Sequence, residues 1–585
     1  MWKLRVKQLI IPTIILLAIL AVTPVNNSPP QEPVNKILYP RIGCPALVIQ
    51  GGTFKSNILL PEDAKLESAS LSSEIGSITL EIIDEQKLPN GTRVLTLKVP
   101  PNSEPALYSL ELKASKAEST LYFKEPNSVA VIKEFKEEFT VIVFTDLHWG
   151  IMPIHDATRK NFENFILQAN FLRPDFIISC GDNIDATDNE ETFQLFTEEV
   201  SKLIIPTFFA TGNNDDYAEE AAGLYTKYIA PLDYVLNYGN YTFIFLHADT
   251  GYIGSKRLKW LEETLAKATN YTMRILVEHY PYWEPGDLLE KDAKELDRIV
   301  REYNVQLVLT GHIHKDQVKI QDGTRLQVTA ALGKGSTPYF GYRIFTFSNG
   351  TLKPWYNDKP IPINGIQIVF LNRNDGKAYA SIAKLTNNLE IPVNGTLRLR
   401  IRDKGVEPII EGGTVVKTYR HGGKLIIDLS ITLNPGESKT VKAYYEKDEK
   451  PPKVTVKAPS KTTKGASFTI TIEAVDDEWG VSKVKLFYST DNKSWVEAPV
   501  KLKGEKYIVT LNISQPIFYY VEVEDAAGNK AVSQVKTIAV ETPEKTPEQK
   551  PTETIKEKPT LTVTIIAIIA LVAVIAVLAI LKLKK

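Results

Sequence analysis

The chain has 585 residues, with 69 basic and 70 acidic side chains and a formal net charge of −1. This length predicts several domains, and the balanced charge excludes a protein that holds nucleic acid through an overall basic field. The chain has only two cysteines. A scaffold built on disulfides is therefore excluded.

The N-terminal segment, residues 1–24, is predicted to be a secretory signal peptide. Three basic residues, Lys3, Arg5 and Lys7, precede an apolar run from Leu9 to Val22, which is the charge order of such signals. An uncleaved anchor is the alternative, because no clear cleavage site follows, although the run is short for a membrane span. Residues 30–135 then show alternating apolar residues and turn dipeptides. They predict an N-terminal β-sandwich.

Residues 136–350 contain five short motifs rich in possible metal ligands. The motifs are Asp146-Leu147-His148, Gly181-Asp182, Gly212-Asn213-Asn214-Asp215, His279 with Pro281, and Gly311-His312-Ile313-His314. Four of the seven histidines of the chain lie in them. Oxygen and imidazole ligands without thiolate suit a pair of hydrolytic divalent metals.

Each motif directly follows a short apolar run that predicts a strand buried on both faces. The runs are residues 139–145, 176–180, 206–211, 274–277 and 305–310. Helical patterns lie between some of them, such as Phe162, Phe165 and Ile166 before the second run. Because α/β folds place their sites at the carboxyl ends of parallel strands, we expect the ligands to converge at that edge of one sheet.

Taken together, these motifs closely resemble the calcineurin-like metallophosphoesterase superfamily over about residues 139–347. The resemblance implies a four-layer αββα core and two divalent metal ions, Mn²⁺, Fe²⁺, Zn²⁺ or Co²⁺. Its implied ligands for the first metal are Asp146, His148 and His314. Its implied ligands for the second metal are Asn213, His279 and His312, and Asp182 would bridge the two.

The third motif departs from the family pattern at Asn214. The family commonly has histidine there, which is thought to protonate the leaving oxygen, and the resemblance implies catalytic positions at Asp182, Asn213, Asn214 and Asp215. Asparagine cannot donate a proton as a general acid does. Three readings stay open: a leaving group that departs without help, a proton from His155 or His247, and a degenerate site that only binds.

The C-terminal part is predicted to be β modules followed by a membrane anchor. Residues 351–450 predict one β module, and residues 451–540 resemble immunoglobulin or fibronectin type III domains in their alternation. Residues 541–560, rich in Pro, Glu, Lys and Thr, predict an extended stalk. Residues 561–581 carry no charge and precede Lys582, Lys584 and Lys585. They predict a transmembrane helix with its tail in the cytoplasm.

The sequence thus predicts a phosphoesterase on the extracellular face of the membrane. It would hydrolyse phosphodiester or phosphoanhydride bonds of a small molecule with a hydroxide activated by the metals. The alternatives are a nucleotidase or phosphomonoesterase, and a non-catalytic surface binding or adhesion protein. The β modules would act as spacers or bind carbohydrate or protein of the cell envelope, and no nucleic-acid specificity is evident.

Overall fold

The computed structural model describes residues 37–150, 156–185, 189–216, 219–333 and 340–541. The predicted signal peptide, residues 542–560 of the predicted stalk and the apolar segment 561–581 lie outside the described residues. Of the helices in the described part, none is long and apolar enough to cross a membrane. The chain divides into two compact units, the first comprising residues 1–453, 475–483 and 523–531, and the second residues 454–474, 484–522 and 532–585.

The N-terminal strands of the first unit pair in one continuous order of eight strands. Strand β5 pairs with β4 through its first half and with β6 through its second half, and its register shifts between Ile82 and Asp84. A strand that is shared and bent in this way lets one sheet enclose an apolar core. The strands are β1 Ile37–Tyr39, β2 Ala46–Ile49, β3 Thr53–Leu59, β4 Lys65–Ser73, β5 Gly76–Lys87, β6 Thr92–Lys98, β7 Ala106–Lys116 and β8 Ser119–Ile132.

The next part of the first unit contains two six-stranded sheets. The strands of the first sheet are β9 Glu138–Phe144, β10 Phe176–Ser179, β11 Thr207–Phe209, β18 Gly341–Ser348, β19 Thr351–Pro354 and β20 Ile361–Pro362. Their order in the sheet is β11-β10-β9-β18-β19, and β20 pairs with β18. The strands of the second sheet are β12 Tyr234–Tyr238, β13 Tyr241–Phe245, β14 Met273–Val277, β15 Leu307–Thr310, β16 Gln317–Gln321 and β17 Thr324–Val328. Their order in the sheet is β12-β13-β14-β15-β17-β16.

Helices cover the outer faces of these two sheets. They are α1 Asp156–Leu172, α2 Glu190–Val200, α3 Glu219–Tyr228, α4 Ser255–Lys267 and α5 Glu290–Glu302. One apolar cluster joins residues of both sheets, such as Val141, Ile178 and Val277. A second cluster packs α1 and α2 against the first sheet, and a third packs α4 and α5 against the second sheet. The layers therefore follow the order helices, sheet, sheet, helices.

The expectation that all metal ligands converge on one sheet is wrong. Strands β9, β10 and β11 belong to the first of the two sheets, whereas β14 and β15 belong to the second. Each set is parallel within its own sheet. Buried parallel strands look alike in sequence whichever sheet they join, because both of their faces are apolar. The sheets pack face to face, so the loops after both sets reach a common site.

The remaining strands form four sheets. Residues 366–444 form a four-stranded sheet, β21-β22-β27-β24, and a three-stranded sheet, β23-β26-β25. Residues 453–541 form the sheets β28-β30-β34-β33 and β29-β37-β35-β31-β32, with β36 paired to β35. The first group is β21 Ile366–Phe370, β22 Ala380–Asn387, β23 Val393–Arg402, β24 Ile409–Glu411, β25 Thr414–His421, β26 Lys424–Leu433 and β27 Ser438–Tyr444. The second group is β28 Lys453–Lys457, β29 Lys461–Thr463, β30 Ser467–Val475, β31 Val481–Ser489, β32 Val496–Ala498, β33 Lys501–Lys503, β34 Lys506–Asn512, β35 Ile517–Asp525, β36 Lys530–Val532 and β37 Lys536–Glu541.

Candidate metal centre

Two clusters of potential ligands lie at the strand ends, and Asp182 belongs to both. The first comprises Asp146, His148, Asp182 and His314, and the second comprises Asp182, His279 and His312. The ligand atoms within each cluster all lie within 4.8 Å of one another. A carboxylate common to two such clusters is placed to bridge two ions.

The distances around Asp182 show how closely the two clusters meet. Its Oδ2 lies 3.6 Å from His148 Nε2 and 3.4 Å from His279 Nε2. In the first cluster, His314 Nε2 lies 3.1 Å from Asp146 Oδ1 and 3.2 Å from His148 Nε2. Two imidazole nitrogens and two carboxylates at this spacing are a suitable donor set for a divalent cation.

The polar atoms of the second cluster support the same conclusion. Asn213 Oδ1, His279 Nε2 and His312 Nδ1 are buried and have no hydrogen-bond partner in the described part of the chain. Leaving a buried polar atom without a partner costs about 1–3 kcal/mol. A cation held by these atoms and by Asp182 would remove that cost, so the residues present fit a metal.

The backbone of the ligand residues is strained. Five of them have a positive φ, which non-glycine residues rarely adopt: Asp146 (52°), His148 (54°), Asp182 (52°), His312 (70°) and His314 (52°). Each such residue costs about 1–3 kcal/mol and persists only where the surrounding structure enforces it. Such strain is concentrated at functional sites.

Two glycines of the motifs permit close approach of the loops. A Cβ on Gly212 would overlap the carboxylate and the backbone nitrogen of Asp182, and one on Gly311 would overlap the Thr145 side chain. Backbone hydrogen bonds join the same loops, since His148 N donates to Asp182 O at 2.9 Å. The Gly-Asn and Gly-His pairs are therefore needed for packing as well as for the ligands they carry.

Acceptors face the outer nitrogen of three histidines. His279 Nδ1 donates to the carbonyl oxygen of Cys180 at 2.8 Å. His148 Nδ1 lies 3.5 Å from Asp185 Oδ1, and His312 Nε2 lies 3.7 Å from Asp287 Oδ1. A hydrogen bond such as the one that His279 makes fixes the tautomer and ring orientation of a metal-binding histidine. Neither Asp185 nor Asp287 was predicted from the sequence. The only signal for Asp185 is its position three residues after Asp182.

The charges of the site are strongly coupled. Burial opposes protonation of His279, but the negative charge of Asp182 outweighs it and raises the pKa of His279 to about 10. Burial would raise the pKa of Asp182, and the positive charge of His279 instead lowers it. Burial, reinforced by His279, lowers the pKa of His312 to about 4. Without metal, His279 is therefore the histidine of the two clusters that holds a proton most tightly.

Asn214 and Asp215 do not occupy equivalent places. The side chain of Asn214 donates from Nδ2 to Asp182 Oδ2 at 2.7 Å. Asp215 is 0% exposed, and it accepts hydrogen bonds from the backbone nitrogens of Asn183, Ile184 and Gly212. Asp215 therefore connects the loop after β10 to the loop after β11 and is not exposed to solvent. Its role in this structure is to position these loops.

The two alternative proton donors are not alike. His155 lies outside the described residues. His247 is 2% exposed, and both of its ring nitrogens have partners, Asp216 Oδ2 at 2.9 Å and Thr211 Oγ1 at 2.8 Å. Because both nitrogens are committed to protein partners, the geometry does not favour His247 as the donor to a leaving group.

Comparison with known proteins gives one family match. The model of the calcineurin-like phosphoesterase family matches residues 139–316. A search of curated proteins returned no match.

The solved structures that are similar to part of the chain include the following three. GAP50, the anchor in the inner membrane complex of Plasmodium, is 17% identical with a TM-score of 0.31, over 39% of this chain and 85% of that chain. A conserved uncharacterized protein of Streptococcus pneumoniae, described as a predicted phosphoesterase, is 12% identical with a TM-score of 0.23, over 39% and 92%. Vps29 of Entamoeba histolytica, complexed with zinc, is 13% identical with a TM-score of 0.20, over 38% and 99%. These values say nothing about the activity of this chain.

The family match covers all five motifs, and the clusters around Asp182 lie within it. Residues 139–316 therefore form a calcineurin-like phosphoesterase domain.

Proposed function

We propose that the protein is a metal-dependent phosphoesterase with two divalent ions, acting on phosphodiester or phosphoanhydride bonds. The observation that carries this proposal is the membership of Asp182 in both ligand clusters. Asp146, His148 and His314 would hold one ion, and Asn213, His279 and His312 the other. When bound, the ions supply Lewis-acid stabilisation and lower the pKa of water.

The protein residues would prepare and hold this site. Asp185, Asp287 and the Cys180 carbonyl orient the histidines, and Asn214 holds the Asp182 carboxylate by a hydrogen bond. In the reaction, water supplies the hydroxyl group that joins phosphorus and one phosphorus–oxygen bond breaks. The proton of water ends on the released alcohol of a diester or on the released phosphate of an anhydride. Asn214 cannot provide that proton.

Hydrolysis of bis(p-nitrophenyl) phosphate with manganese, zinc or cobalt tests the proposal. We expect metal-dependent turnover in the natural protein and its loss in Asp182→Asn, which removes one charge from both clusters. The matched control is Asp322→Asn, in the turn between β16 and β17, where the residue is exposed and a positive φ suits asparagine. Binding of metal and phosphate without any turnover would instead favour a protein that only binds.

The location of the enzyme is a separate proposal, which rests on sequence alone. The apolar segment 561–581 and the lysines after it support a single membrane anchor, with the domains outside the cell. The stalk of residues 541–560 supports a spacing of the domains from the membrane. The β modules would serve as spacers or bind envelope carbohydrate or protein.

A further inference from the structure

A cleft of about 910 Å³ opens beside the proposed second metal position. Its walls are the segment 282–290, the start of the loop before α4, and parts of α5 and β16. Asp287 belongs to the cleft, and its Oδ1 lies 3.7 Å from His312 Nε2. Asp287 therefore connects the second ligand cluster to this cleft.

The charge of the cleft is negative. Four carboxylates line it, Glu284, Asp287, Glu290 and Asp297, against two ammonium groups, Lys294 and Lys319. Glu290 is paired with Lys294, and Asp297 with Arg301. Among the residues that the structure describes, Glu284 and Asp287 form no ion pair with a lysine or arginine.

Glu284 accepts a hydrogen bond from Gln317 Nε2 at 3.0 Å, and Asp287 faces His312 through Oδ1. Asp287 Oδ2 is buried without a hydrogen-bond partner in the described part of the chain. A cationic group in the cleft would be attracted by both carboxylates, whereas an anionic group would be repelled by them.

Aromatic side chains complete the cleft. Tyr252, Tyr282 and Trp283 line it, and Tyr252 is 53% exposed. Aromatic faces attract ammonium groups through their quadrupole, and clusters of them beside carboxylates suit quaternary ammonium ligands. Aromatic faces and unpaired carboxylates thus select the same chemistry.

We propose that this cleft binds a cationic, ammonium-bearing ester group of the substrate, so that the enzyme prefers phosphodiesters of choline-like or ethanolamine-like alcohols. This inference rests on the proposed function and names its substrate class.

A matched pair of substrates tests it. p-Nitrophenylphosphocholine and 3,3-dimethylbutyl p-nitrophenyl phosphate have the same shape and leaving group, and differ by a quaternary nitrogen in place of carbon. We expect kcat/KM to favour the choline ester by about tenfold or more, the scale of a cation held by aromatic rings and carboxylates. A ratio near one in the natural protein overturns the proposal.

Variants assign the preference to the cleft. Glu284→Gln and Tyr252→Leu should each reduce the ratio several-fold, whereas Tyr252→Phe, which keeps the ring, should retain it. Glu302→Gln, on the exposed face of α5, is the control and should leave the ratio unchanged. Because both rates come from one preparation, a partly unfolded variant lowers them together. A ratio that neither Glu284→Gln nor Tyr252→Leu changes overturns the assignment.

Further substrates separate this inference from the proposed function. Absence of hydrolysis of bis(p-nitrophenyl) phosphate overturns the proposed function, whereas its hydrolysis with equal rates on the matched pair overturns only the cationic cleft. The cationic cleft is also overturned if kcat/KM for a p-nitrophenyl ester of uridine 5′-phosphate exceeds that for the choline ester. The cleft would then prefer an uncharged ring. Glycerophosphocholine and phosphatidylcholine vesicles, used as competitors of p-nitrophenylphosphocholine hydrolysis, tell a soluble source from a lipid one. If neither of them inhibits, the proposal is contradicted.

Discussion

Asn214 holds the Asp182 carboxylate with two hydrogen bonds. Its backbone nitrogen donates to Oδ1 at 2.8 Å and its side-chain Nδ2 donates to Oδ2 at 2.7 Å. Asp182 is the residue common to both ligand clusters. The amide at position 214 therefore fixes the proposed bridging ligand. It cannot also act as the acid that protonates a leaving group.

The first prediction concerns the leaving group. Without a general acid at position 214, negative charge on the leaving oxygen is uncompensated in the transition state, so the rate should depend steeply on leaving-group pKa. Aryl diesters and pyrophosphates should react faster than alkyl monoesters. The measurement is kcat/KM across a series of aryl and alkyl esters, under conditions where chemistry limits turnover.

The histidine variant gives the matched comparison for that series. Asn214→His should raise the rate of the poorest leaving groups most, by up to ~10²-fold, which a positioned general acid contributes. The best leaving groups should change little. A natural protein whose rates are flat across leaving groups of very different pKa would show that another residue supplies the proton.

The second prediction concerns protons released by metal binding. The charge of Asp182 outweighs burial and raises the pKa of His279 to about 10, so metal-free His279 is protonated at pH 7. A metal ligand must be neutral, and metal binding should therefore release this proton. Metal affinity should fall as the pH is lowered from 10 toward 7, by up to about tenfold per pH unit.

Calorimetry in two buffers with different ionisation enthalpies measures this release. The natural protein and Asp322→Asn should show the same buffer-dependent heat at pH 7. In Asp182→Asn, any remaining metal binding should release fewer protons, because the charge that raises the pKa of His279 is gone. Heats independent of the buffer in the natural protein would contradict the prediction.

The third prediction concerns Asp215. Its two oxygens accept only from N–H donors, including Ile184 N at 2.8 Å and Gly212 N at 2.8 Å. In Asp215→Asn, the amide NH₂ would face a donor in either orientation. We expect a loss of about 1–3 kcal/mol in the free energy of unfolding, measured in urea. Stability equal to that of the natural protein would show that Asp215 does not connect these loops.

The fourth prediction concerns the membrane. Truncation after Glu541 removes the stalk and the apolar segment but keeps β37, which ends there and pairs with β29. The shortened protein should be soluble and as active as the full chain. Its recovery in the membrane fraction would show that the N-terminal apolar segment remains as an anchor.

The sequence could predict the strands that carry the motifs, because short buried runs and ligand residues are local features. The match over residues 139–316 supports the family that these motifs resemble. The division of those strands between two sheets could not be predicted, because β10 and β14 are equally apolar. Which sheet each strand joins depends on long-range pairing.

Other features of the site have no motif. Asp287 comes from the segment before α5, far along the chain from Asp182, and only folding brings it near His312. The left-handed backbone at Asp146 and Asp182 is likewise invisible in sequence, because no glycine marks it. For Asn214, the sequence predicts that the side chain cannot act as a general acid. Its hydrogen bond to Asp182 could not be predicted, because it depends on the fold.

If two divalent ions share Asp182, anomalous X-ray diffraction from crystals soaked in manganese should locate both of them. We expect two peaks about 3.5–4 Å apart with the Asp182 carboxylate between them, one near His148 and His314 and the other near His279 and His312. In Asp182→Asn both peaks should weaken. A single peak, or none at these residues in crystals of an active preparation, would contradict the claim.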